Sequence, residues 1–320
     1  MTEASENNNC SICISSETEA IPVKEMRNGW REVHLYRFCR NCEYFELIEL
    51  PVNIEKYYQQ GYYTQHKPHI QIQGLRAAFW AARAKLYDSF LHPIWNSLAF
   101  NTILDWKHRT GISFSDPILD FGCGNGDILY EFHKHGFTKL KGLDPFLPEI
   151  KVELPFPIMK GGISELGNND KYKLIMMHHS FEHMPDQDQV LNSLKPLLAK
   201  GGKLLIRMPI INEAFYQYRE HWVQIDAPRH FSVHSLKSFN LLAKSLGYIV
   251  TEIFFDSTAF QFTGSEENKA DISFFEPNSL KISRERSIFN ETQLLEYDKK
   301  ANEYNLSRKG DQAGFILELL

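Results

Sequence analysis

The stretch Ile118–Leu129 reads ILDFGCGNGDIL, and it decides the fold. A short apolar run, Ile118 and Leu119, leads to an acidic residue, Asp120, and then to glycines at 122, 124 and 126. The pattern predicts a strand that ends in a glycine-rich loop and continues into a helix. Such a loop brings bare backbone N–H groups up to a ligand. A dinucleotide fingerprint, G-x-G-x-x-G, needs a glycine where Asp127 stands. The spacing here is D-x-G-x-G-x-G, which makes NAD the weaker reading.

Downstream of this loop, strands are expected at 118–121, 139–143, 157–160, 172–178, 203–208 and 248–255. Helices are expected between them at 127–135, 187–198 and 235–246. This rhythm predicts the α/β class, a doubly wound and mostly parallel sheet. Residues 256–311 depart from it as a polar insert carrying an amphipathic helix over 291–305. The apolar run 314–320 reads as a last strand. Upstream, residues 51–112 have helical periodicity over 75–100 and 95–106, with Tyr57, Tyr58, Tyr62 and Tyr63 clustered near Gly61. Three parts are expected: a small module over 1–50, a helical linker or lid over 51–112, and the α/β domain over 113–320.

The first part is set by cysteines. Cys10 and Cys13 form one C-x-x-C pair, Cys39 and Cys42 another, with 25 residues between them. Two such knuckles complete a closed four-thiolate site of the kind Zn2+ prefers, with a structural or recognitional role. Two unrelated pairs of buried thiols remain the alternative. Composition is that of a soluble globular protein: 43% hydrophobic, 23% charged, net charge −5. That balance gives no global field for nucleic acid. No apolar run approaches the roughly 18 residues that span a bilayer. The polar start MTEASENNN has no signal-peptide pattern, so a cytoplasmic location is expected.

Asp144 ends the second strand, where ligands of a doubly wound sheet bind, and a carboxylate there can accept hydrogen bonds from ribose hydroxyls. DFGCGNG (120–126) followed by GLDP (142–145) resembles the class I S-adenosylmethionine-dependent methyltransferases, in the group acting on small molecules and sugars. The resemblance implies a seven-stranded Rossmann-like sheet with a reversed final hairpin. It places Asp120, Gly122, Cys123, Gly124 and Gly126 at the methionine part of S-adenosyl-L-methionine, and Asp144 with Pro145 at the ribose. Gly162, Ile163 and Ser164 would border the adenine, and His178 and His179 would line the methyl-transfer cleft. Cys123 itself reads as a small buried residue rather than a nucleophile.

Two further stretches carry candidate chemistry. In MMHHSFEHMPD (176–186), His183 beside Glu182 is a candidate base; a packing role is equally open. In HWVQIDAPRHF (221–231), His230 or Asp226 is a candidate base and Arg229 a candidate clamp for phosphate or carboxylate, with Trp222 on the substrate side. This segment resembles the substrate loop of relatives acting on sugars and polysaccharide precursors, with a rigid structural corner as the alternative. A cysteine ribbon before such a core resembles bacterial deoxysugar methyltransferases, in which a histidine placed like His183, after a glutamate like Glu182, serves near the reacting carbon. Those carry a second α/β domain where this chain has an insert and one strand. The expected function is methylation of a sugar, nucleotide-sugar or glycan precursor at oxygen, nitrogen or carbon. The alternative is an RNA- or protein-directed methyltransferase whose ribbon, with Lys24, Arg27, Arg31, Arg37 and Arg40, binds a macromolecule. A non-catalytic binding protein is a third reading, opposed by the intact loop and Asp144.

Overall fold

The computed structural model describes residues 9–58, 79–80, 82–84, 101–147, 154–167 and 170–320. Its larger sheet has seven strands: β4 (Ile118–Phe121), β5 (Leu140–Asp144), β6 (Ile158–Lys160), β7 (Tyr172–His178), β8 (Leu198–Pro209), β10 (Tyr248–Phe255) and β11 (Gln312–Leu319). They run in the order β10-β11-β8-β7-β4-β5-β6. The five strands from β8 to β6 are parallel, whereas β11 is antiparallel to both β8 and β10. The order reverses at β4, so the loop after β4 opens at the switch point where such sheets bind ligands. The doubly wound α/β fold and its reversed final hairpin are present as expected.

Alternation along the central strands explains the layering. Leu119, Ile175, Met177, Leu204, Ile206 and Phe315 pack into one apolar layer, and Ile118, Leu174, Met176, Leu205 and Ile316 into the other. Both faces are covered, as a parallel sheet requires. Helices α1 (Thr102–Thr110) and α2 (Asp127–Lys134) contribute Ile103, Trp106, Leu129 and Phe132 to the second layer. Helices α3 (Gln187–Leu194) and α5 (Leu236–Ser245) contribute Leu191, Leu194, Phe239 and Leu242 to the first. The helix expected over 75–100 lies mostly outside the described residues.

A second, four-stranded sheet runs β1 (Thr18–Lys24), β2 (Val33–Cys39), β3 (Phe45–Leu47) and β9 (Ser232–Val233). The cysteine ribbon supplies three of these strands, and the fourth comes from the loop after β8. Behind it, Tyr36 stacks on Phe45 at 4.7 Å and packs with Phe38, Phe215, Trp222 and Phe262 in a separate core. Helices α4 (Glu213–Tyr218), α6 (Phe260–Lys269) and α7 (Glu291–Leu306) line that core through Phe215, Phe262 and Ala301. The insert over 256–311 thus covers the ribbon side; its α7 was expected, α6 was not. Among the described residues, no helix is long and apolar enough to cross a membrane.

Ser235 joins the two parts. Its hydroxyl accepts from the N–H of Ser238 at 3.1 Å, capping α5, and donates to the carbonyl of Cys42 at 2.7 Å. It is buried, so removing it strands two polar groups. Ser235→Ala is expected to lower unfolding free energy by about 1–3 kcal/mol, read from urea denaturation; an unchanged midpoint would show that neither bond stabilises the fold.

Candidate active site

The loop after β4 is shaped by close approaches. Gly122 has φ +84°, and a Cβ there would collide with the side chain of Ser180, whose hydroxyl donates to the Phe121 carbonyl at 3.0 Å. Gly126 has φ +82° and meets Ile158 in the same way. Both positions therefore require glycine. The N–H groups of Gly122 and Cys123 both donate to the Leu143 carbonyl, tying the loop to β5.

Two carboxylates face this loop. Asp144 accepts from the Gly124 N–H and from the Phe146 N–H, both at 2.8 Å, so in this structure its charge holds the loop in place. Asp120 is buried and its Oδ1 receives no hydrogen bond. Burial, and next the nearby Asp144, push its carboxyl up to about 8. A buried acid with one oxygen unpartnered, at the bottom of a cleft, fits a cationic ligand.

The cleft encloses about 730 Å³. Asp120, Gly122, Cys123, Gly124, Asp144 and Pro145 line one end, and His178, His179 and His183 line the other. Tyr58 and Phe146, stacked at 5.6 Å, stand at its wall with Leu50, Ile54, Met184 and Phe231. Burial drives the Cys123 thiol well above its usual range, as suits a packing role. His178 is buried and lies flat on Trp106 at 4.3 Å, a stack that stiffens the floor.

His179 takes the left-handed conformation, φ +49°, uncommon for a side chain of this size. Its Nδ1 lies 3.3 Å from Glu182 Oε1, close enough for Coulomb attraction, yet neither oxygen of Glu182 receives a well-aligned hydrogen bond. His183 Nδ1 is 2.8 Å from the Arg229 carbonyl, and His230 Nδ1 is 2.8 Å from the Gln224 carbonyl. The two imidazoles meet edge to face at 4.7 Å.

The substrate loop is placed differently from the sequence expectation. Arg229 is buried and its guanidinium is paired with Asp226 through both Nε and Nη2. Trp222 is 1% exposed, inside the ribbon-side core, with its indole N–H donated to Asp311 at 2.9 Å. None of Trp222, Asp226, Arg229 and His230 is among the residues lining the cleft. The reason is internal pairing: an acid three residues before the arginine takes its Nε and Nη2 and draws the segment into a closed corner. Ile163 and Ser164 form a short 3-10 turn after β6 and do not line the cleft either.

The four cysteines converge as the spacing predicted. Cys10 and Cys42 sulfurs are 3.5 Å apart, as are those of Cys13 and Cys39, and all four lie within 4.8 Å of one another. Sulfurs on a tetrahedral Zn2+, each ~2.3 Å from the metal, stand about 3.8 Å apart. The donor set therefore fits a structural zinc in a ribbon-like module.

The family described as "Methyltransferase domain" matches residues 55–253, more than half of the chain. The chain belongs to this family. Residues 55–253 thus form a methyltransferase domain. The chain is 26% identical over 153 residues to the C-methyltransferase NovU of Streptomyces niveus, covering 45% of this chain and 36% of that protein. It is 32% identical over 68 residues to EEF1A lysine methyltransferase 2 of Mus musculus, covering 21% and 28%. The chain thus spans about a third of the length of these relatives. A solved methyltransferase from Geobacter sulfurreducens in complex with S-adenosyl-L-homocysteine aligns with TM-score 0.40 and 16% identity, over 68% of this chain and 90% of that one.

Asp120 gives a pH signature. A carboxyl raised to about 8 stays protonated in the ligand-free fold from its ordinary value upward, so a cationic ligand beside it must displace that proton. S-adenosylmethionine binding to this methyltransferase is expected to tighten as pH rises from 6 to 8, by at most about tenfold per pH unit. Asp120→Asn should flatten that dependence in a calorimetric titration; an equal slope in both proteins would remove Asp120 from the site.

Proposed function

We propose that this methyltransferase acts on a hydroxyl-bearing small molecule, a sugar, nucleotide-sugar or glycan precursor. The observation that carries the reading is the single cleft joining the glycine loop and its two carboxylates to the histidine end. Its size and largely apolar wall suit a cofactor beside a small acceptor. Bound S-adenosylmethionine supplies an electrophilic methyl group on a cationic sulfur. Asp144, at the end of β5, takes the ribose hydroxyls; Asp120 takes the cationic methionine end. The Trp106–His178 stack and the Tyr58–Phe146 pair hold the cleft in shape, which matters because in-line displacement depends on orientation. His179 and His183 face the acceptor, and the four cysteines hold a structural Zn2+.

The relatives' names point in two directions, one to carbon methylation and one to a protein lysine. Methyl-labelled S-adenosylmethionine incubated with nucleotide-sugar pools and, separately, with a protein extract distinguishes the readings. Label in the small-molecule fraction is expected; label confined to protein would overturn the proposal. Asp144→Ala is expected to weaken S-adenosylmethionine binding by about 2–3 kcal/mol, roughly 30- to 150-fold. Unchanged affinity by calorimetry would refute the ribose role.

A further inference from the structure

Glu182 is 1% exposed, and neither of its oxygens receives a well-aligned hydrogen bond. An ionised carboxylate so placed is costly unless a cation or several donors face it. Two imidazole nitrogens lie within 4 Å of its Oε1: His179 Nδ1 at 3.3 Å and His230 Nε2 at 4.0 Å. One carboxylate oxygen of Glu182 and one ring nitrogen each of His183 and His230 lie within 4.8 Å of one another. We propose that Glu182, His183 and His230 bind a divalent first-row transition-metal ion, separate from the cysteine site, at the acceptor end of the cleft.

The surroundings are those of a metal site. A backbone carbonyl only accepts, so the Gln224 and Arg229 carbonyls fix the proton of each imidazole on Nδ1 and leave the lone pair on Nε2. Carbonyl partners of this kind orient metal-ligating histidines. The main chain fixes the third ligand: the Glu182 carbonyl accepts from the Phe231 N–H at 2.8 Å, next to His230. Two imidazoles with one carboxylate favour Mn2+, Fe2+, Co2+ or Zn2+ over Mg2+ or Ca2+, and three protein ligands leave coordination positions open. Of the three, His183 lines the cleft while Glu182 and His230 lie behind it, so the cleft is the side from which an acceptor oxygen reaches the ion.

The role that follows rests on the acceptor reading above. A hydroxyl oxygen on the ion becomes more acidic. Its O–H bond breaks, with the proton passing to solvent water. The freed oxygen pair forms the O–CH3 bond, and the S–CH3 bond breaks with its electron pair left on sulfur.

Co2+ titrated into the metal-free full chain tests the site, because cobalt held by thiolates has strong near-ultraviolet charge-transfer bands and cobalt held by imidazole and carboxylate does not. About two equivalents are expected to bind, one of each kind. Glu182→Gln and His230→Asn should weaken the thiolate-free site by at least ~10-fold while the thiolate bands, which report an intact ribbon, persist. Cys39→Ser should do the reverse. In the unaltered chain, Mn2+ should broaden histidine proton resonances without any substitution. Absence of the thiolate-free cobalt from a chain that still binds S-adenosylmethionine, or its survival in both variants, would overturn the proposal. Cobalt bound as expected with methylation only on protein would overturn the acceptor reading instead and leave the site standing.

Discussion

The main chain of Phe231 is hydrogen-bonded on both sides, and the relation between the two sheets depends on it. Its N–H donates to the Glu182 carbonyl and its carbonyl accepts from Leu47 N–H, both at 2.8 Å. One residue therefore fastens the end of the parallel sheet to the edge of the cysteine ribbon. The neighbouring contacts reinforce the seam: Tyr36 hydroxyl to the His230 carbonyl at 2.8 Å, and Val233 opposite Phe45. Buried bonds of this kind contribute about 1 kcal/mol each, but losing one strands its partner at greater cost. The ribbon is thus built into the wall behind the histidines rather than hung from a linker.

At the other end of the cleft the governing effect is electrostatic. Asp120 and Asp144 lie close enough for one to raise the pKa of the other in a poorly solvated space. Backbone N–H groups absorb the charge of Asp144, whereas Asp120 has none aimed at its Oδ1. A cationic ligand relieves this arrangement and a neutral one does not.

Much of this was legible in the sequence because it is local. Ile118–Leu129 encodes strand, turn and helix within twelve consecutive residues, and the near-continuous burial of β7 and of the second half of β8 follows directly from their apolar runs. The four cysteines carry their own geometry in their spacing. What the sequence concealed is non-local or too short to have a period. Strand β9 has two residues, and its partner Phe45 lies far away in the ribbon. Arg229 looked like an anion clamp because Asp226, three residues earlier, gives no sign in the sequence that it will take the guanidinium for itself. Trp222 carries the residue type of a binding loop and the packing of a core. The left-handed turn at His179 has no compositional mark, since the residues that usually signal one are glycine and asparagine.

Strand β11 lies between β8 and β10, although it follows both in the chain. During synthesis, β10 emerges with nothing to pair with, and β8 shows an unpaired edge until the residues from 312 onward arrive. A ribosome-bound chain would hold these apolar strands open through the whole of the 256–311 insert, a target for chaperones and for edge-to-edge association. Closure by the late strand couples completion of the sheet to the end of translation of this region.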